Sequence, residues 1–217
     1  MKTFLVIGLG RFGAAAAEKL YDMGHEVLII DENEELVRRM ADRATHAAIG
    51  DAQEMQVLKA AGAKECDCAI VAIGEDLAAS VVITMNLKDL GVPHIVCKAQ
   101  NEMYKRALER VGAGRVVIPE REMAIRMVYS LGSASFLDYI EFSGEYGIAE
   151  ITPPESWHGR SLRELDVRRK YHVNVLSLKN EADGTVRMSP GADDAVGPQD
   201  TVLVMGKNED LSLLQKL

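Results

Sequence analysis

Along the first half of the chain the apolar positions switch repeatedly between two spacings. Phe4-Leu5-Val6-Ile7 is a continuous apolar run stopped by Gly8, and 11–23 is a run of helix formers, with four alanines at 14–17, stopped by Gly24. The alternation continues. Strands are predicted at 26–30, 45–49, 68–73, 95–97 and 116–118, and helices at 33–42, 53–61, 75–90 and 102–111. In the helix over 33–42, Leu36, Val37 and Met40 share one face. Short strands that are apolar on both faces, separated by helices, predict a parallel sheet covered on both sides. Right-handed crossovers then make it doubly wound. Gly24, Gly62, Gly91 and Gly112 stand where the helices should stop.

After Pro119 the pattern changes. The stretch 119–131 reads as one helix with proline in its first turn. Gly132-Ser133-Ala134-Ser135 breaks it, and short strands follow at 139–142, 148–151, 173–178 and 202–205. One helix is predicted over 161–171 and another after Asn208. The expected organisation is a nucleotide-binding domain over 1–118, a crossover helix and linker over 119–135, and a small α+β domain over 136–217. A module of about 80 residues is near the size limit for a stable core, so it is expected to pack on a partner.

Composition narrows the function classes. Of 217 residues, 47% are apolar and 27% charged, ordinary for a globular protein, and 25 Lys and Arg against 33 Asp and Glu give a net charge of −8. An acidic chain is repelled by phosphate polyanions, which argues against a nucleic-acid or anionic-membrane binder. No apolar run reaches the roughly 20 residues a membrane-spanning helix needs. The apolar start leads straight into a glycine turn and is read as a first strand, so the expected location is cytosolic. Cys66, Cys68 and Cys97 are odd in number and lie in apolar surroundings, which predicts reduced, buried thiols. The five histidines are scattered, without metal-ligand spacing.

The candidate chemistry gathers where strands end. Gly8-Leu9-Gly10-Arg11-Phe12-Gly13 matches G-x-G-x-x-G between a predicted strand and helix, and Asp31 ends the second strand 18 residues after Gly13. That context predicts a Rossmann-like dinucleotide fold. Gly8 permits the tight turn, Gly10 a close pyrophosphate, and Gly13 close helix–strand packing; the helix N-terminus offers free N–H groups. Asp31 is placed to accept from both ribose hydroxyls and would repel a 2′-phosphate, disfavouring NADP. Arg11 opposes the dipole at the start of its helix. The position suits a cation that meets an additional anion, such as the terminal phosphate of ATP, or one that is simply solvated. Asp51 either caps the next helix or touches adenine or ribose. Ala72-Ile73-Gly74 ends the fourth strand with small residues that let a base or phosphate approach, and Lys98 ends the fifth, to pair with phosphate or with a buried carboxylate. The last 80 or so residues carry no proton-transfer constellation of the kind a dehydrogenase needs, which favours binding over an NAD-dependent oxidoreductase, the alternative.

These residues, with Gly24-His25-Glu26-Val27, Ala44-Thr45-His46-Ala47, Val71-Ala72-Ile73-Gly74, Val96-Cys97-Lys98-Ala99-Gln100-Asn101 and Ile118-Pro119-Glu120, resemble over the whole chain the RCK regulatory subunits of Ktr/Trk-type bacterial potassium uptake systems, in particular the Ktr-type subunit. The resemblance implies that the small α+β module is a C-terminal RCK lobe. It implies a homodimer assembling into an octameric ring, cytoplasmic and peripheral to the membrane's inner face, docked on a membrane-embedded potassium-translocating subunit. It also implies gating by exchange of ATP and ADP, with NAD as the alternative ligand. Arg11 matches the family arginine that reaches the terminal phosphate of ATP across the N-lobe dimer. Glu120 matches the family acid near a divalent cation such as Mg2+ or Ca2+, although an acid in a helix's first turn needs no metal. The C-lobe of the family can bind cyclic di-AMP. Arg168 and Asn174 lie in the matching segment, with Pro190 expected to line the same groove, and the plain alternative is a solvated helix face. His172 stands where glycine is frequent in relatives, which puts the turn there in doubt.

Overall fold

A computed structural model describes residues 1–131 and 135–214. Of the predicted small-residue break, Gly132, Ser133 and Ala134 lie outside the described residues. The chain folds as two compact units, Met1–Glu120 and Arg121–Leu217.

The first unit is a parallel sheet of six strands in the order β3-β2-β1-β4-β5-β6. The strands are β1 (Thr3–Ile7), β2 (Glu26–Asp31), β3 (His46–Ile49), β4 (Cys68–Val71), β5 (His94–Lys98) and β6 (Arg115–Val117), alternating with α1 (Arg11–Asp22), α2 (Glu34–Met40), α3 (Met55–Ala60), α4 (Leu77–Asp89) and α5 (Glu102–Val111). The continuous apolar runs arise because both faces are buried. Leu5, Ile7, Leu28, Ile30, Val71 and Ile95 pack with Leu58, Ile83, Leu87 and Leu108 on one side. Val6, Val27 and Ile29 pack with Ala17, Val37 and Met40 on the other. The strand order reverses between β1 and β4. The crevice outside the carboxyl ends of those two strands is where open α/β sheets take ligands.

Side-chain caps explain most helix starts. Asn33 accepts from the Glu35 N–H at 2.9 Å, Asp76 from Ala79 at 2.9 Å and Asn101 from Tyr104 at 2.9 Å. Helix α3 begins later than the pattern predicted. The Asp51 carboxylate instead closes a turn on the Gln53 N–H at 2.8 Å, and the Asp51 carbonyl accepts from Glu54 at 3.1 Å.

Helix α6 (Pro119–Leu131) leads into the second unit, an antiparallel sheet in the order β10-β9-β11-β8-β7. Its strands are β7 (Phe136–Glu141), β8 (Tyr146–Ile151), β9 (Asn174–Asn180), β10 (Val186–Met188) and β11 (Asp200–Lys207), with α7 (Leu162–Leu165), α8 (Val167–Tyr171) and α9 (Asn208–Leu214). Trp157, Phe136, Ile151, Leu178, Val202 and Leu211 form its core. The single helix predicted over 161–171 is in fact two. Ser161 and Glu164 form a capping box that starts α7, and Asp166 then turns left-handed at φ 47°, which ends it. Strand β10, which the pattern did not predict, is an edge of three residues that are all exposed. Among the described residues no helix is long and apolar enough to cross a membrane.

Candidate functional site

The turn after β1 is built as its glycines require. Gly8 is left-handed at φ +89°, and its N–H donates to the Ile30 carbonyl at 2.8 Å. A Cβ on Gly13 would fall 1.8 Å from the Gly8 carbonyl oxygen, so α1 can approach β1 only with hydrogen at that position. A Cβ on Gly10 would meet nothing within 4 Å. The turn therefore presents bare backbone to open space where a pyrophosphate would sit.

Helix α1 begins without a side-chain cap and without an acid in its first turn. Arg11 is exposed there and makes no hydrogen bond or ion pair among the described residues, while Phe12 is half-buried beside it. This N-terminus offers uncapped N–H groups and the positive end of a dipole to whatever lies over the turn.

Asp31 is committed to the turn as well as poised at its edge. One carboxylate oxygen accepts from the Leu9 N–H at 2.6 Å and the other from Asn33 at 2.8 Å. The carboxylate pins the Gly-rich turn to the end of β2, and each oxygen keeps a lone pair for a ribose hydroxyl. Asp51 is exposed and closes the turn to Gln53 described above; it does not cap α3, which begins at Met55 without a side-chain cap.

Across the crevice, Ala72 donates to the Ile7 carbonyl at 2.7 Å before the chain leaves β4. Gly74 clears a lane for Lys98, because a Cβ there would sit 3.1 Å from Lys98 Cδ and 3.2 Å from Cε. Lys98 Nζ reaches the Glu120 carboxylate at 2.7 Å. The sequence allowed Lys98 a phosphate or a buried carboxylate; the carboxylate it meets is an exposed one. That bond and, to a lesser degree, the nearby Arg11 charge hold the Glu120 carboxyl below the usual glutamate range. Arg11, Lys98 and Glu120, far apart in the chain, thus share one edge of the site. Among the described residues no group of three or more His, Cys, Asp or Glu forms a metal cage. A cation at Glu120 would take its remaining ligands from phosphate and water.

Ser80 is a residue that the pattern did not single out. It is 2% exposed, and its hydroxyl donates to the Ile73 carbonyl at 2.6 Å, fixing the loop after β4. A polar residue on the buried face of a predicted helix was the available signal. The thiols are free; Cys66 and Cys97 are buried and Cys68 half-buried. Burial pushes Cys66 up to about 11 and raises Cys97. None of the three is poised as a thiolate.

In the second unit His172 is left-handed at φ 56°, a conformation that usually marks glycine. His172 and Asn174 line a cavity of about 510 Å3 with Tyr146, Met205, Gly206, Lys207, Glu209 and Asp210. Arg168 is exposed on α8 and is not among the lining residues. Pro190 does not line this cavity either, contrary to expectation. It follows Ser189, whose N–H donates to Leu176 on the β10 flank of β9, whereas the cavity opens on the β11 flank. A further cavity of about 450 Å3, bounded by Thr3, Glu26, Thr45 and His46, contains no predicted site residue.

The TrkA-N domain family matches residues 4–119 and the TrkA-C domain family residues 148–217. The chain is 40% identical over 210 residues to the Ktr system potassium uptake protein A of Bacillus subtilis (strain 168), covering 97% of this chain and 94% of that one. The GsuK channel bound to NAD superposes with a TM-score of 0.69 at 15% identity, over all of this chain and 39% of the channel chain. GsuK bound to ADP superposes at 0.53 with 13% identity, over 61% of this chain and 35% of that one. The chain belongs to the RCK family of regulatory subunits, not enzymes, of Ktr/Trk-type potassium uptake systems.

Proposed function

We propose that the first unit binds an adenosine polyphosphate over the glycine turn, and that exchange of ATP for ADP sets the activity of a membrane-embedded potassium-translocating partner. The observation that carries this reading is the uncapped start of α1. Open space lies over Gly10, and Arg11 is a cation that makes no ion pair among the described residues, at a place where the helix dipole disfavours it. A terminal phosphate would satisfy both the dipole and the guanidinium. Gly8, Gly13, Asp31, Ala72, Gly74 and Lys98 shape the rest of the site, and Asp51 stands at its rim. Glu120 is the candidate ligand for Mg2+ or Ca2+. Solved structures of GsuK, which shares the fold, include one bound to NAD and one bound to ADP, and NAD is the rival occupant of this crest.

Nucleotide state gates a partner only if the two ligands favour different conformations, because the differential affinity is the gating energy. In this reading the chain is a homodimer assembled into an octameric ring, cytoplasmic and peripheral to the membrane through its partner. The test is Arg11→Ala measured by calorimetry. ATP affinity should fall about tenfold, the loss of one charge-assisted hydrogen bond at an exposed site, while ADP and NAD change less than twofold. Equal losses for ATP and ADP would remove the terminal-phosphate contact.

The cavity holding Asn174 supports a second site, for cyclic di-AMP, in the C-lobe. Asn174→Ala should abolish the rise in melting temperature that cyclic di-AMP produces and leave the ATP-induced rise intact. Arg168→Ala separates the cavity from the α8 face: a loss as large as that of Asn174→Ala places the phosphates against α8. A wild type unshifted by the dinucleotide at high concentration has no such site.

A further inference from the structure

The bond between Lys98 and Glu120 closes part of the site on itself. Lys98 is the largely buried partner, with 18% of its side chain exposed, and Glu120 is 65% exposed in the first turn of α6. The ammonium runs along the lane left by Gly74 and ends at the crest where β5 finishes. Its stem is therefore fixed, and only its terminal partner is free to change. Glu120 is also close enough to Arg11 for that charge to act on it. The carboxylate thus occupies one of the two cations that a polyphosphate would need.

Resting on the nucleotide-binding reading above, we infer that Glu120 is an internal competitor, occupying Lys98 in place of the ligand's outer phosphates and so setting how strongly the site distinguishes ligands by charge. An ion pair with one exposed partner is weak, worth about a factor of five in an equilibrium constant at most. A dianionic terminal phosphate is a stronger acceptor than a carboxylate and displaces it. A ligand whose phosphates do not extend that far leaves the pair closed. When Lys98 turns to the phosphate, the freed Glu120 carboxylate faces a second anion and gains from any cation between them. Dependence on a divalent cation then follows from the displacement and needs no preformed cage.

The test is a double-mutant cycle read by calorimetry on the full chain, first in EDTA. Glu120→Gln should bind ATP about three- to fivefold more tightly than wild type, and ADP less than twofold more tightly. Lys98→Met should weaken ATP. In the Lys98→Met background, Glu120→Gln should give little further tightening, because the competition runs through the lysine. Tightening of equal size in that background would mean simple repulsion between Glu120 and the ligand, and would overturn the inference. So would unchanged or weaker ATP binding by Glu120→Gln in EDTA. Repeating the titration with Mg2+ should shrink or reverse the gain, since the variant lacks the carboxylate that a cation would join; a gain of the same size with and without Mg2+ also counts against it. Melting curves without ligand establish that each variant is folded. A wild type that binds neither ATP nor ADP sinks the nucleotide reading itself, a result distinct from binding that is indifferent to Glu120.

Discussion

Replacing Gly13 by alanine is expected to unfold the first unit at a markedly lower temperature than wild type. The added Cβ would lie 1.8 Å from the Gly8 carbonyl oxygen and 3.1 Å from the Ala72 side chain. The first contact is with backbone, which cannot rotate away, and Gly8 is itself fixed by its bond to Ile30. Relief requires α1 to move off the sheet, and with it Ala17 from the cluster of Val6, Val27 and Ile29. Overpacking usually costs about 1–3 kcal/mol, and more where backbone must shift. Taking the upper value of about 3 kcal/mol, because backbone must shift, and roughly 2–4 °C per kcal/mol for a chain of this size, melting should fall by about 6–12 °C. Gly10→Ala is the matched control. Its Cβ meets open space, so melting without ligand should stay within about 2 °C of wild type. The same variant should weaken ATP, because the methyl occupies the volume a pyrophosphate needs. Equal melting for the two alanine variants would show that α1 does not depend on its contact with β1.

That contrast shows what the sequence makes legible. Of the three glycines at fixed spacing, Gly8 with its positive φ and Gly13 with its contact to β1 meet constraints that no other residue type meets, whereas any constraint on Gly10 comes from the proposed ligand. The six parallel strands are legible for a similar reason: burial on both faces leaves an unbroken apolar run, which exposed loops do not produce. Legibility fails where a constraint is met by ordinary residues. Strand β10 is written in Val186, Arg187 and Met188, all exposed, and only pairing with β9 makes it a strand. The helix break at Asp166 uses an aspartate in a conformation that usually marks glycine. The pairing of Lys98 with Glu120 joins residues that the turn of the sheet, not their spacing, brings together. Within the second unit, nearness in the chain is misleading. Asn174 and His172 line the cavity, while Arg168, on the preceding helix, and Pro190, on the opposite flank of β9, do not.

Asp31→Ala should weaken ATP, ADP and NAD alike by about 10- to 100-fold, the largest ligand effect expected of any single change in the site. Two losses add. The ribose loses its acceptor, and the Gly-rich turn loses the carboxylate that draws Leu9 and Asn33 together at 2.6 and 2.8 Å. Each hydrogen bond to a charged group contributes about 1.5–3 kcal/mol, so losing even one accounts for the lower end of that range. The effect should be blind to the terminal phosphate, because in the proposed binding mode Asp31, at the end of β2, meets the ribose, whereas Arg11, which opens α1, meets the terminal phosphate. A smaller fall for Asp31→Asn, which keeps one acceptor oxygen and loses the charge, would separate pinning of the turn from ribose recognition. Calorimetric affinities unchanged in Asp31→Ala would take the carboxylate out of the site and leave it as a brace for the turn. A loss confined to ATP would place the polyphosphate tail, and not the ribose, beside β2 and reverse the direction in which the nucleotide lies across the sheet.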